Sequence, residues 1–387
     1  AKLLASNGNW KLAYNYLFSY VRKQKNRIFF PVSFSVNLLQ AQYHDPLLEY
    51  MQNDIALKGN RSRFSFFADK IGFYNLWPLM AENCDKYDPS HLVYVVRDFF
   101  HMDTTMGVSQ TEKHYLTKIA KAFNLKKDAF NKMAEVMLAS NKQPIATPDG
   151  VITAEDKGKG SGATKTNQNE SFANFDYSYE FNNLVIQRCK LKGMEVKLVD
   201  SRGNGDDGES IFYLADTTRF NEFNEICEEV AQELCDKYGF IKNDKWRINL
   251  GTYGVYCQYM TFVDTDNHFK AYYPVSLAIN AIMHPMHEIK KELWDSDFID
   301  WRTEGILRNL YGRPDFEIAV KFVDIKMKRG LFGKTKEDFM RIFEKYSKYR
   351  ALRDVEADFN VANPDWENNP KLSPVIQLLA HWRGIQL

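Results

Sequence analysis

A chain of 387 residues is longer than one hydrophobic core usually serves, so two folded units are expected. Apolar residues make up 44% and charged residues 26%, ordinary values for a globular protein, and no apolar run reaches the ~18 residues of a membrane-spanning helix. Lys and Arg number 51 against 50 Asp and Glu, and the resulting charge of +1 gives no general basic footprint for nucleic acid.

In chain order, residues 10–24 place Leu12, Tyr16, Leu17, Tyr20 and Val21 at helical spacing, with Asn7 as a cap. Pro31 interrupts the pattern and residues 34–42 resume it. Asp45-Pro46 starts a helix through Leu57, closed by Gly59-Asn60. Residues 63–74 and 76–83 extend the array, and Asp88-Pro89-Ser90 opens a helix over 91–101. Residues 1–140 are therefore expected to form a helical domain.

From Asn141 the composition changes. Pro144, Pro148, Gly150 and the run from Lys157 to Lys165 leave few apolar side chains, so 141–175 reads as a flexible linker or long surface loop. Gly158 to Lys165, GKGSGATK, lacks the GxxxxGK[ST] spacing of a phosphate loop.

Residues 176–387 mix both periods. Strands are expected over 183–187 and 194–199, then a turn-rich connection from Ser201 to Gly208 and a strand over 210–214, together a hairpin with a wide loop. Residues 220–238 form an amphipathic helix with Phe223, Ile226, Cys227, Val230, Leu234 and Tyr238 on one side. Residues 251–263 are aromatic and β-branched, a strand or a pair of them. Helices follow over 275–283, 287–294 and 301–311. Residues 316–325 fit either element. A polar helix over 336–357 and a last helix over 374–382 close the chain. Strands and helices mix without regular βαβ alternation, which gives an α+β fold.

Within residues 91–139 the matching positions are Asp103, Gly107, Val108, Ser109, Glu112, Leu116, Ile119, Ala120, Leu125 and Phe130. They resemble the tellurite-resistance TerB-like helical family, in which an acidic, glycine-containing loop joins two helices. The resemblance implies Asp103 and Glu112 as ligands of a divalent cation. Thr104-Thr105-Met106 stands between Asp103 and Gly107, where that family places glycine directly after the aspartate. On the residues alone, Ser109 and Glu112 have the spacing of a capping box, and one aspartate with one glutamate falls short of the ~6–8 oxygens that Ca²⁺ takes.

Other clusters have plain structural readings. His284 and His287 are three apart around Pro285, unlike the HExxH zinc spacing, and with Glu288 and Glu292 read as a helix start. Asp295, Asp297, Asp300 and Glu304 also fit a helix start, and Gly330 to Thr335 fits a turn into the next helix. Five cysteines without a CxxC pair point to reduced core thiols. The N-terminal Ala-Lys lacks a Met, so the start of the sequence need not be the natural one.

With no catalytic motif and 14% aromatic residues, the expectation is a non-enzymatic structural protein. It would self-associate through Phe, Tyr and Trp, as in a viral or phage shell, in the cytoplasm or the virion, with protein partners and no cofactor beyond a possible divalent cation. A TerB-like stress or defence accessory and a metal-dependent hydrolase built on His284 and His287 stand as alternatives.

Overall fold

The seven residues Leu92–Asp98 are all buried, and they form a strand. The computed structural model describes residues 15–16, 18–22, 25–29, 36–46, 73–100, 102–107, 111–142, 145–147, 150–152, 166–284, 296–327, 330–352 and 369–387. Strands β1 (Asn15–Tyr16), β2 (Phe18–Arg22) and β3 (Lys25–Phe29) precede helices α1 (36–46) and α2 (Phe73–Cys84). Strand β4 (Leu92–Asp98) leads into the short α3 (Met102–Thr105). A π-helical turn, Glu112–Leu116, runs on into α4 (Thr117–Ala122), followed by α5 (Lys127–Lys142). Strands β5 (Ile145–Thr147) and β6 (Gly150–Ile152) come next, then the long α6 (Thr166–Leu191) and the hairpin β7 (Val196–Asn204) and β8 (Asp207–Leu214). Helix α7 (Phe220–Tyr238) precedes β9 (Arg247–Leu250), β10 (Gly254–Tyr256), β11 (Tyr259–Val263) and β12 (Phe269–Tyr272). The chain finishes in α8 (Val275–Met283), α9 (Ser296–Arg308), α10 (Phe316–Lys326), α11 (Lys336–Leu352) and α12 (Pro374–Trp382).

The fold is α+β. Its central sheet is antiparallel with the order β7-β8-β4-β9. Strand alternation divides its side chains between two cores. Val93, Val95, Phe212 and Leu214 face Tyr177, Phe181 and Val185 of α6 and Phe223, Ile226, Val230 and Leu234 of α7. Leu92, Tyr94 and Ile211 face Leu76 and Met80 of α2 together with Tyr256 and Tyr259 of the β10-β11-β12 sheet. A further core gathers α8 to α12 around Leu307, Val320, Phe339 and Leu379.

Several elements depart from the sequence-based expectation. The helix expected over 91–101 is β4. Its unbroken apolar run carries no period, and Val93, Val95 and Val96 favour a strand buried on both faces. Part of the helix expected over 10–24 is β1 and β2, with β2 paired to β3. Residues 183–187 lie inside α6, because Tyr177, Phe181, Val185 and Cys189 repeat every four positions and face one core. Helix α6 begins at Thr166, inside the stretch expected as a linker, and β4 pairs with strands from the second half of the chain, across that boundary. Residues 316–325 are helical. The helix expected over 287–294 lies outside the described residues.

Candidate active site

Strands β4 and β8 run side by side, and the pair that ends their ladder is Asp98 opposite Asp207. Strand β7 returns into β8 through only two residues, Gly205 and Asp206, closed by the pair Asn204 and Asp207. Gly205 has φ +60°, the glycine-first pattern of a two-residue hairpin turn, which a side-chain-bearing residue adopts poorly. Asp98 is buried, Asp207 is half-buried and Asp206 is exposed. Three carboxylates therefore end at one edge of the sheet.

Helix α6 holds the turn in place. The buried Asn174 donates from Nδ2 to the Gly205 carbonyl at 3.0 Å and to the Asp207 carbonyl at 2.9 Å. The Gly205 amide donates to Ser171 Oγ at 2.7 Å. Gly208 leaves the room these contacts need. A Cβ there would lie 3.1 Å from Arg97 Nε and Nη2 and from Asn174 Oδ1. Arg97 is fully buried beside Asp98, and its guanidinium donates to the hydroxyls of Ser210 and Ser178, the latter at 2.9 Å. Burial pushes this guanidinium down to about 10.

The loop between α7 and β9 covers Asp98 from the other side. Asn243 Nδ2 donates to Oδ1 at 2.9 Å and Lys245 Nζ donates to Oδ2 at 2.6 Å. Desolvation lowers the Lys245 ammonium, but the hydrogen bond to Asp98 and the charges of Asp98, Asp207 and Asp206 outweigh it and raise the group above the ordinary lysine value. Behind the edge, Glu209 is 1% exposed and accepts from Thr261 Oγ1 at 2.6 Å. Burial pushes its carboxyl up to about 8. Arg202 pairs with Asp200 at 2.8 Å, and Asn83 of α2 donates to the same carboxylate at 2.7 Å.

The two sequence-predicted metal ligands lie on different elements. Asp103 sits in α3, five residues beyond Asp98, and its side chain lies outside the described residues, as does Ser109 with its part of the capping box. Glu112 is exposed at the start of the π-helical turn. His114 of that turn is tied to Asp176 of α6 at 2.7 Å. His284 is exposed, while His287, Glu288, Glu292 and Asp295 lie outside the described residues. The acids of α9 are structural. Asp297 binds Arg341 and Lys345, Asp300 accepts from the Phe332 amide, and Glu304 binds Arg308 and Ser373. Gly330 to Thr335 is the turn into α11, where Asp338 accepts from the amides of Lys334 and Thr335.

Among the described residues no three His, Cys, Asp or Glu side chains are grouped to hold a metal ion. Two carboxylates suffice for Mg²⁺, which keeps most of its water and takes its remaining oxygens from substrate phosphates. Asp98 and Asp207 supply hard oxygen donors in register, and the ammonium already drawn to Asp98 shows that this edge attracts a cation. The donor set fits such an ion. Sequence reading had passed over Asp98, Asp206 and Asp207. Their signal was an acid ending an apolar run, together with Gly205-Asp206-Asp207 between two strand-like segments.

No family model matches the chain, and no curated protein matches it. Solved structures do. The RNA-dependent RNA polymerase of a human picobirnavirus is 16% identical at a TM-score of 0.70, over 96% of this chain and 66% of that one. An insertion-loop deletion mutant of a human picobirnavirus polymerase is 15% identical at a TM-score of 0.65, over 96% and 65%. A chain of an RdRp complex is 12% identical at 0.51, over 82% and 26%. The chain thus spans just under two thirds of the first two. Its fold is the one seen in these polymerases, which overturns the expectation of a non-enzymatic shell subunit, and with it the accessory reading attached to the TerB-like segment.

Proposed function

We propose that this chain carries the nucleotidyl-transfer site of an RNA-dependent RNA polymerase, centred on Asp98 and Asp207. The observation that carries the reading is their register, two acids opposed at the end of adjacent strands with Asp206 in the turn beside them. The shared fold supports it. Asp103, which follows β4 in α3, is proposed as a further acid of the same site; Glu112, exposed at the start of the π-helical turn, is not part of this proposal.

In the proposed reaction an RNA 3′-hydroxyl attacks the α-phosphorus of a nucleoside triphosphate and a phosphorus–oxygen bond forms. The bond from that phosphorus to the α–β bridging oxygen breaks so that diphosphate leaves, and the hydroxyl proton passes to water. A divalent cation bound at Asp98 and Asp207 would polarise the phosphate and stabilise charge on the attacking and leaving oxygens. The protein's own part is positioning. Ser171 and Asn174 fix the turn that bears Asp206 and Asp207, and the Arg97–Ser178–Ser210 bonds fix β4 against α6 and β8. Hydrogen bonds to carbonyls and hydroxyls of this kind hold carboxylates in place without neutralising them. RNA and nucleoside triphosphates enter as partners although the overall charge is only +1.

The test is incorporation of labelled nucleotide on a homopolymeric RNA template, with Mg²⁺ or Mn²⁺, by the chain and by Asp98→Asn and Asp207→Asn. Loss of at least ~10³-fold in both variants is expected if they hold the ion that stabilises the transferring phosphate. Incorporation unchanged in both would refute the assignment.

A further inference from the structure

We infer that Lys245 is a cation latch, its ammonium holding the place on Asp98 that a divalent ion must take to bind. The inference rests on the site proposed above and adds a residue that regulates its loading. Both Asp98 oxygens are taken by one loop, Oδ1 by Asn243 at 2.9 Å and Oδ2 by Lys245 at 2.6 Å. The charges of Asp207 and Asp206 also act on the Lys245 head group.

The two donors differ in how firmly they are held. Asn243 is built into the backbone: its amide donates to the Asp98 carbonyl at 3.0 Å, and its carbonyl accepts from Trp246 at 3.1 Å. Trp246 is in turn a member of the core, 5% exposed. The Lys245 amide donates to Asn243 Oδ1 at 3.3 Å, while its side chain is 63% exposed on a flexible four-carbon stem. The pair is open to solvent at its lysine end while Asp98 is buried, so the flexible ammonium can swing out to water and a doubly charged ion is able to take its place on the carboxylate. While the lysine is docked, it also offsets the repulsion between two acids directly opposed across adjacent strands. The latch thus keeps the acidic edge folded and neutralised until the ion arrives, and Asn243 keeps Asp98 oriented during the exchange.

Calorimetric titration with Mn²⁺ of the chain, Lys245→Met, Lys245→Arg and Asp207→Asn tests this. Lys245→Met is expected to bind Mn²⁺ at least fivefold more tightly than the parent, and Lys245→Arg no more tightly. Acetic anhydride labelling read by mass spectrometry is expected to modify Lys245 more at saturating Mn²⁺. Equal affinity in the parent and Lys245→Met, with binding lost in Asp207→Asn, would overturn the latch and leave the site standing. Absence of Mn²⁺ binding in every protein would overturn both.

Discussion

Replacing Asn174 with alanine tests whether α6 or the hairpin itself places the acids. The side chain donates to two backbone carbonyls, Gly205 at 3.0 Å and Asp207 at 2.9 Å, from a fully buried position. Each lost bond is worth about 1 kcal/mol, and a carbonyl left buried without a donor costs about 1–3 kcal/mol. Asp207 is half-buried, so water partly replaces the donor there and the lower figure applies. The sum is about 2–4 kcal/mol, which for a chain of this length corresponds to a fall of about 2–5 °C in the unfolding midpoint. Differential scanning fluorimetry measures it. Nucleotide incorporation is expected to fall further than the midpoint alone implies, since the Asp207 carbonyl and the Gly205-Asp206 turn lose their tie to α6 together. An Asn174→Ala protein with parental midpoint and parental incorporation would refute the clamp, showing that pairing with β7 and β4 alone fixes the turn.

Other perturbations separate the site from its frame. Glu209 has its carboxyl pushed from 4.5 to about 8 by burial, so the folded chain keeps a proton that the unfolded chain releases between those values. Stability from this group is intact below about pH 4.5 and is lost as pH rises towards 8, by up to about 4 kcal/mol. Glu209→Gln is expected to flatten the unfolding midpoint between pH 5 and 8; an identical slope would show that the proton is not held. Gly208→Ala puts a Cβ 3.1 Å from Arg97 and Asn174, and is expected to cost about 1–3 kcal/mol in urea unfolding. Far from the site, Arg308→Ala strips the cationic partner from Glu304, which is 0% exposed, and a loss of about 3 kcal/mol is expected with no specific change in Mn²⁺ affinity.

Much of the frame was legible because its periodicity is local. Phe223, Ile226, Cys227, Val230, Leu234 and Tyr238 are all buried on α7, which ends at Gly239 in the left-handed conformation. Helices over 275–283 and 374–382 fall where the pattern put them. Strand β4 was not legible, since a run buried on both faces has no period to distinguish it from a helix. The turn-rich run from Ser201 to Gly208 suggested a wide loop, yet its glycines serve a tight hairpin. Gly205 supplies a left-handed φ, and Gly208 makes room for Arg97 and Asn174. Local composition recognised the glycines without showing how many residues the turn contains.

The candidate site escaped for a related reason. Asp103 and Glu112 drew attention because they are neighbours in the chain, whereas Asp98 and Asp207 become neighbours only when β4 pairs with β8. A register shift of one residue would turn Asp207 to the helix-packed face of the sheet, where Arg97 and Phe212 point, so the pairing itself decides whether the acids meet. Net charge is likewise blind to local arrangement. A total of +1 says nothing about an edge where acids would bind a cation ahead of any phosphate. Attraction to a polyanion then depends on that ion and on where the lysines and arginines lie, not on their excess over the acids. Lys245 makes the point locally: its positive charge contributes to the total, yet in the structure it is committed to Asp98 and becomes available only when the ion replaces it.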